Sequence, residues 1–73
     1  MGELIMLESK LKIKLAEANM SNTELAQRLA VSKQTITNWK NGHNNPPIET
    51  AFKIAYILNC KVDDLFVYID DEE

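Results

Sequence analysis

The 73-residue sequence has few of the residues that break secondary structure or cross-link small domains: one cysteine, two glycines and two prolines. A single cysteine cannot form an internal disulfide, and small secreted domains usually depend on several, so the sequence predicts a reducing, cytoplasmic environment. The early apolar run at residues 4–7 is short and follows no basic residue, which indicates neither a signal peptide nor a membrane span. A chain of this length has room for one small core, which excludes large enzyme folds.

The sequence also lacks an excess of positive charge. Eight Lys and Arg stand against eleven Asp and Glu, for a net charge of −3. Taken alone, this balance argues against nucleic acid as a partner, because phosphate binding normally leaves a basic footprint. The charges are segregated, however: residues 10–44 hold six basic and two acidic residues (+4), residues 1–9 carry −2, and residues 45–73 carry −5. The middle of the chain therefore has the charge that an anionic partner needs.

Apolar residues recur mostly at helical spacing, and we predict five helices and no strand. The first lies between residues 3 and 19 and has an inner face of Leu4, Leu7, Leu11, Leu15 and Ala18. The second begins at Asn22 after a capping box in which the Ser21 hydroxyl accepts from the Glu24 amide and the Glu24 carboxylate reaches back. The third covers residues 33–41, between a Ser32 cap and Gly42, which can take a left-handed conformation.

Two more helices are predicted in the second half of the chain. Pro47 suits the first turn of a fourth helix that continues to Asn59, and a fifth covers residues 62–68. The inner face of the fourth helix is predicted to consist of Ile48, Ala51, Phe52, Ala55 and Leu58. The predicted organisation is an N-terminal extension or helix start at residues 1–8, a domain at residues 9–68, and an acidic tail at residues 69–73 that frays.

Residues 22–41 place two short helices around a tight turn, with a small shared core of Leu25, Leu29, Val31, Ile36 and Trp39. This arrangement resembles the helix-turn-helix of phage repressors and Cro proteins, and the similarity extends over roughly residues 9–66. It implies an all-α, five-helix, lambda-repressor-like domain. Two residues depart from the family pattern. Ala30 stands where glycine is usual, and Asn22 replaces a glutamine, so its phosphate contact is expected while its bracing of the third helix stays open.

The resemblance implies that the third helix reads bases in the major groove of DNA. Gln34 and Asn38 can pair with adenine, Lys33 can donate to guanine, and Thr37 can touch a thymine methyl. A merely solvated face would usually contain acidic residues, and this helix has none. The expected phosphate contacts, which fix register without reading sequence, are Asn22, Ser32, Lys40, Asn41, His43 and Asn44.

The predicted function is a sequence-specific transcriptional regulator, of the repressor type found in phages or mobile elements. With one His and one Cys far apart, we predict neither an enzyme nor a metal site, and no cofactor, small-molecule substrate or membrane partner. The alternative is a protein-binding module, such as an antirepressor or antitoxin that docks on a repressor or toxin. Surplus apolar surface near the chain ends keeps this alternative open. The symmetry of a two-fold operator favours a homodimer over such a heteromeric partner; the interface candidates are Leu65, Phe66, Val67, Tyr68 and Ile69.

Overall fold

The computed structural model describes residues 5–70, which form five short helices and a two-stranded antiparallel sheet. The mostly helical architecture agrees with the prediction, but the strictly all-α class is wrong because of the sheet. None of the helices within residues 5–70 is long and apolar enough to cross a bilayer. In chain order the elements are β1 (Ile5–Ser9), α1 (Leu11–Glu17), α2 (Asn22–Leu29), α3 (Lys33–Asn41), α4 (Ile48–Ile57), α5 (Val62–Leu65) and β2 (Phe66–Asp70).

The N-terminal part of the predicted first helix is a strand. Residues 5–9 pair with β2, and helix α1 starts only at Leu11. The Lys10 amide donates to the Leu65 carbonyl at 2.7 Å, which joins the start of α1 to the end of α5. Leu7 is therefore an exposed strand residue and Ala18 an exposed residue beyond the helix, and neither belongs to the core. Leu4 lies outside the described residues.

The predicted fifth helix also ends early. Only Val62–Leu65 is helical, and the next five residues form β2, with Tyr68 opposite Leu7. Aromatic and β-branched residues in this segment favour an extended chain once a partner strand is present. Ile69 and Asp70 are thus paired strand residues rather than a frayed tail, and the predicted boundaries after residues 8 and 68 fall inside the sheet. Residues 71–73 lie outside the described part of the chain.

Helix α4 is rotated relative to the prediction. It runs from Ile48, with Pro47 as its N-cap, to Ile57 rather than to Asn59. Nearly every side of this helix carries apolar residues, so periodicity could not select its buried face. Ile54 is fully buried although it was not predicted to be, whereas Ile48 and Phe52 point away from the core. The core proper consists of Leu11, Leu15, Leu25, Ala26, Ile36, Trp39, Ile54, Ala55 and Leu65.

Candidate nucleic-acid interface

Ser21 and Ser32, the predicted capping residues, stand at the N-termini of helices α2 and α3. The Ser21 hydroxyl accepts from the Glu24 amide at 3.0 Å, and the Ser32 hydroxyl accepts from the Thr35 amide at 3.1 Å. The predicted capping box also has the Glu24 carboxylate reaching back to the Ser21 amide. In the structure this carboxylate instead accepts from Arg28 at 3.1 Å and forms an ion pair with it. The Thr35 amide also donates to the Ser32 carbonyl at 3.1 Å. Each hydroxyl accepts from an amide of the first helical turn, which fixes where each helix begins.

The turn between α2 and α3 depends on a left-handed residue. Ala30 has φ +59°, and the Val31 amide next to it donates to the Ala26 carbonyl at 3.0 Å. This geometry closes α2 within one residue and brings Leu25 and Ile36 together in the core, where both are fully buried. The orientation of α3 relative to α2 is therefore set by a short turn and by apolar packing.

Helix α3 presents polar side chains on its outer surface. Lys33 and Gln34 are exposed, and Thr37 and Asn38 are half-buried. Gln34 Nε2 donates to Asn38 Oδ1 at 3.0 Å, so these two residues, which we term the amide pair, hold each other one turn apart. Their bond leaves the Gln34 oxygen as an acceptor and the Asn38 amino group as a donor for an external partner.

Asn22, the first residue of α2, contacts the last turns of α3 through its side chain. Lys40 Nζ donates to Asn22 Oδ1 at 2.9 Å, and Asn22 Nδ2 donates to Thr37 Oγ1 in a longer bond of 3.4 Å. The sequence left open whether this short side chain reaches the third helix, and it does. Asn22, Thr37 and Lys40 therefore form one connected polar group.

The remaining predicted phosphate contacts lie at the two ends of α3. Ser32 is the N-cap, while Asn41, His43 and Asn44 are exposed where the helix ends and the loop begins. Gly42, with φ +79°, ends the helix, and the His43 amide donates to the Asn38 carbonyl at 3.0 Å. Since nine helical residues span about 13 Å, these groups flank the amide pair on both sides.

The lysines of α3 keep their charge available. The ion pairs found among residues 5–70 join Glu8 to Lys10, Glu17 to Lys14 and Glu24 to Arg28, and none of them includes an α3 residue. The hydrogen bond from Lys14 to Glu17 raises the pKa of the Lys14 ammonium. By contrast, Lys40 rests on a neutral amide oxygen and needs no counter-ion to be displaced before it meets an anion.

The interface candidates near the C-terminus are placed unequally. Leu65 is fully buried and offers no surface to a partner, while Phe66 and Val67 are half-buried. Tyr68 is exposed, and the side chain of Ile69 lies outside the described part of the structure. The larger exposed apolar surface lies on α4, which sequence periodicity assigned to the core.

His43 and Cys60 lie apart and are not brought into one site. His43 is on an exposed loop, and Cys60 is half-buried against the core, where burial raises the pKa of its thiol. In the part of the chain that the structure describes, no three His, Cys, Asp or Glu residues are grouped so that they could hold a metal ion.

A polar third helix without acids, held against a second helix by a tight turn, defines a helix-turn-helix class of DNA-binding domain. Residues 10–71 match the family of Cro/C1-type HTH DNA-binding domains. Because that match covers most of the 73 residues, the chain belongs to this family.

Several known proteins are similar to the chain over most of its length. An uncharacterized HTH-type transcriptional regulator of Methanocaldococcus jannaschii is 41% identical over 66 residues, which covers 90% of this chain and 100% of the relative. Another such regulator, from Archaeoglobus fulgidus, is 37% identical over 67 residues, or 92% and 93% of the two chains. The crystal structure of a candidate DNA-binding protein from Bacteroides fragilis superposes with a TM-score of 0.79 at 30% identity, covering 84% of this chain and 98% of the other.

Proposed function

We propose that this protein is a sequence-specific DNA-binding regulator of transcription that inserts α3 into the major groove. The observation that carries the proposal is the amide pair on the outer surface of α3, flanked by polar groups at both helix ends and free of acidic neighbours on the helix. A helix of this size fits the major groove, where each base pair presents a distinct pattern of donors and acceptors.

Four α3 residues read bases in this proposal. The amide pair supplies one acceptor and one donor, which is the complement of adenine N6 and N7. Lys33, exposed in the first turn, donates to guanine O6 and N7. The Thr37 hydroxyl is bonded to Asn22, so its methyl group is the part left to contact a thymine methyl.

The phosphate contacts fix the register of α3 in the groove. Lys40 and Asn22 form a joint donor group that can approach one phosphate, with the ammonium supplying the charge. Ser32 approaches the backbone at the start of α3, and the exposed polar loop at its other end supplies the remaining contacts, from Asn41, His43 and Asn44.

Transcriptional regulation follows from the relatives, which are named HTH-type transcriptional regulators. We propose that the protein represses by occupying its operator, and that it does so as a homodimer. Two recognition helices about 34 Å apart match the helical repeat of a two-fold operator and double the number of base contacts. The phage or mobile-element origin stays a prediction, since the similar regulators named above come from archaea.

Selection from a pool of random duplexes tests the proposal. We expect enrichment of one sequence family, and binding to the selected duplex that weakens steeply with salt. If nothing is enriched and the purified protein instead binds a repressor or toxin stoichiometrically, the DNA-binding proposal is wrong and the protein-binding alternative replaces it.

A further inference from the structure

Asn41 is the last residue of α3 and is followed directly by Gly42. Its side chain is exposed and, unlike those of Asn22 and Asn38, takes part in no hydrogen bond among residues 5–70. The side-chain carbonyl carbon of an asparagine can be attacked by the backbone nitrogen of the next residue. Glycine leaves that nitrogen the least hindered, because it has no Cβ and turns freely about its backbone bonds. The end of α3 thus combines an unrestrained side-chain amide with an unhindered neighbouring nitrogen.

The Gly42 amide is held only weakly in the structure. It is shared between the carbonyls of Asn38 and Trp39 and lies 3.4 Å from the latter. Such bonds are usually about 2.7–3.2 Å long. The helix end is secured one residue further on, where the His43 amide donates to the Asn38 carbonyl at 3.0 Å. The Gly42 nitrogen can therefore be released while the helix end keeps a bond of ordinary length.

Two other exposed asparagines, Asn19 and Asn59, follow helices α1 and α4 and provide a comparison within the same chain. The next residues are Met20 and Cys60, whose amides donate to helix carbonyls at 3.0 and 2.9 Å. Both nitrogens are thus engaged in bonds of ordinary length, and both residues carry a Cβ that crowds the nitrogen. These two asparagines lack the features that distinguish Asn41.

The loop after α3 contains two further exposed asparagines, Asn44 and Asn45. Asn44 is followed by a residue with a full side chain, which hinders attack by its nitrogen. Asn45 is followed by Pro46, whose ring nitrogen has no proton to lose and cannot attack in this way. Of the exposed asparagines in the described part of the chain, Asn41 is therefore the one whose neighbour favours the reaction.

We propose that Asn41 is a site of spontaneous deamidation and that deamidation weakens the binding of DNA by α3. The Gly42 nitrogen gives its proton to solvent and bonds to the side-chain carbon Cγ of Asn41. The side-chain nitrogen takes up a proton and leaves as ammonia, which produces a cyclic imide. Water then opens the ring. Breaking the bond from nitrogen to Cγ leaves an aspartyl residue, and breaking the bond from nitrogen to the main-chain carbonyl carbon leaves an isoaspartyl residue. The reaction consumes water, releases ammonia and needs neither oxidant nor reductant.

Either product places a carboxylate at the C-terminal end of α3. A negative charge is unfavourable there, because the carbonyl end of the helix dipole is itself negative. The proposed phosphate contacts Lys40, His43 and Asn44 lie on both sides of this position in the chain, so the new charge repels the same phosphates. The isoaspartyl product also adds a methylene group to the main chain and displaces the loop relative to the helix. The effect on DNA binding rests on the proposed function, whereas the reaction at Asn41 does not.

Peptide mapping of the folded chain after storage at slightly alkaline pH tests the site without DNA. We expect aspartyl and isoaspartyl products to accumulate at position 41, detected by mass and by an isoaspartyl methyltransferase, while Asn19 and Asn59 stay intact. Asn41→Gln should abolish these products, because the longer side chain would have to close a larger ring. Asn44→Gln is a matched change in the adjacent loop and should leave the rate at position 41 unchanged.

Gly42→Ala keeps the asparagine and changes only its neighbour. An added Cβ meets no atom within 4 Å, although φ +79° strains a residue that has a side chain. Deamidation at Asn41 should be markedly slower in this variant, because the methyl group hinders the attacking nitrogen. Circular dichroism and the denaturation midpoint of each variant establish that it is folded.

Anion exchange separates the deamidated fraction from the intact chain, because deamidation adds a negative charge. We expect its affinity to be about tenfold lower on the selected duplex and on unrelated duplexes alike, since phosphate contacts carry no sequence information. The slope of log affinity against log salt should become shallower by up to about 0.9 per protomer, as for loss of a phosphate contact. Freshly purified Asn41→Asp should match the aspartyl fraction, and stored Asn41→Gln should keep the affinity that it had when fresh.

The outcomes separate the reaction from its effect on DNA. A folded chain that shows no product at position 41 after storage, or that reacts as fast at Asn19 and Asn59, overturns the site. A deamidated fraction that binds DNA as tightly as the intact chain overturns the effect on binding. A fresh chain that selects no duplex removes the proposed function, whereas products at position 41 would still establish the site, because peptide mapping requires no DNA.

Discussion

The Lys40 ammonium group donates to the side-chain oxygen of Asn22 at 2.9 Å, which ties the last turn of α3 to the first residue of α2. The two residues are eighteen positions apart in sequence, and both are half-buried. The bond gives a long, flexible side chain a fixed direction at the end of the base-reading helix. Positioning of this kind lowers the entropy that a phosphate contact would otherwise cost.

Removing the side-chain amide of Asn22 should therefore weaken DNA binding, because Lys40 then loses its fixed direction. In Asn22→Ala we expect a loss of about 0.5–1.5 kcal/mol on the selected duplex and on unrelated duplexes alike, because a phosphate contact carries no sequence information. Asn22→Gln, which keeps both amide functions, should retain most of the affinity. Fluorescence anisotropy of Asn22→Ala, Lys40→Gln and the double variant gives the coupling; strictly additive losses would show that the bond does not position Lys40.

The charge of Lys40 should appear in the salt dependence of binding. Lys40→Gln is expected to lower the slope of log affinity against log salt by about 0.9 per protomer, as one phosphate contact releases that many counter-ions. Lys40→Arg keeps the charge and should keep the slope. Titrations at several salt concentrations provide the measurement, and an unchanged slope in Lys40→Gln would place this lysine outside the interface.

Gln34 should determine the preferred base at one position of the operator. Gln34→Ala is expected to cost about 1–3 kcal/mol on the selected duplex and to relax the preference at that position only. Because Gln34 is bonded to Asn38, the combined loss in the double variant Gln34→Ala/Asn38→Ala should be less than additive. Gln27→Ala, at an exposed position of α2, is the control for loss of a glutamine. If Gln34→Ala lost the same binding free energy on duplexes with any base at the operator position assigned to Gln34, base reading by Gln34 would be contradicted.

Ala30 should be a site where glycine increases stability. Its φ of +59° costs an L-residue on the order of 1–2 kcal/mol, while glycine adopts this conformation freely and loses about 0.5–1 kcal/mol through its more flexible unfolded chain. Ala30→Gly should thus raise the free energy of unfolding by up to about 1 kcal/mol in urea denaturation. Ala18 has φ −84° and is not strained, so Ala18→Gly should not raise the free energy of unfolding. A destabilised Ala30→Gly would mean that the methyl group makes a contact worth more than the strain.

Local signals predicted the helix-turn-helix well because each is complete within a few residues. Ser21 and Ser32 cap helices that begin directly after them, and Gly42 ends α3 in the left-handed conformation. Trp39 is buried, as its spacing from Ile36 indicated. The match of residues 10–71 to the Cro/C1-type family agrees with the resemblance on which the third helix was assigned its function; the roles of its individual side chains remain predictions.

The two ends of the chain were predicted wrongly because their structure is not local. The segment that forms β2 is extended only because β1, about sixty residues earlier, pairs with it. Helical periodicity at Leu7 and Leu11 is compatible with a strand followed by a helix, and nothing within the segment distinguishes the two. The fifth helix consequently stops at Leu65, whose burial removes it from the interface candidates.

The helix-turn-helix could be predicted from the amino-acid sequence, since caps, a turn residue and an acid-free polar helix are properties of neighbouring residues. The packing of the helices selects which face of α4 enters the core, because Ile48, Phe52 and Ile54 are all apolar and burial depends on where the other helices lie. The same packing brings Asn22 within reach of Lys40, a contact between side chains of two helices whose distance no local pattern encodes.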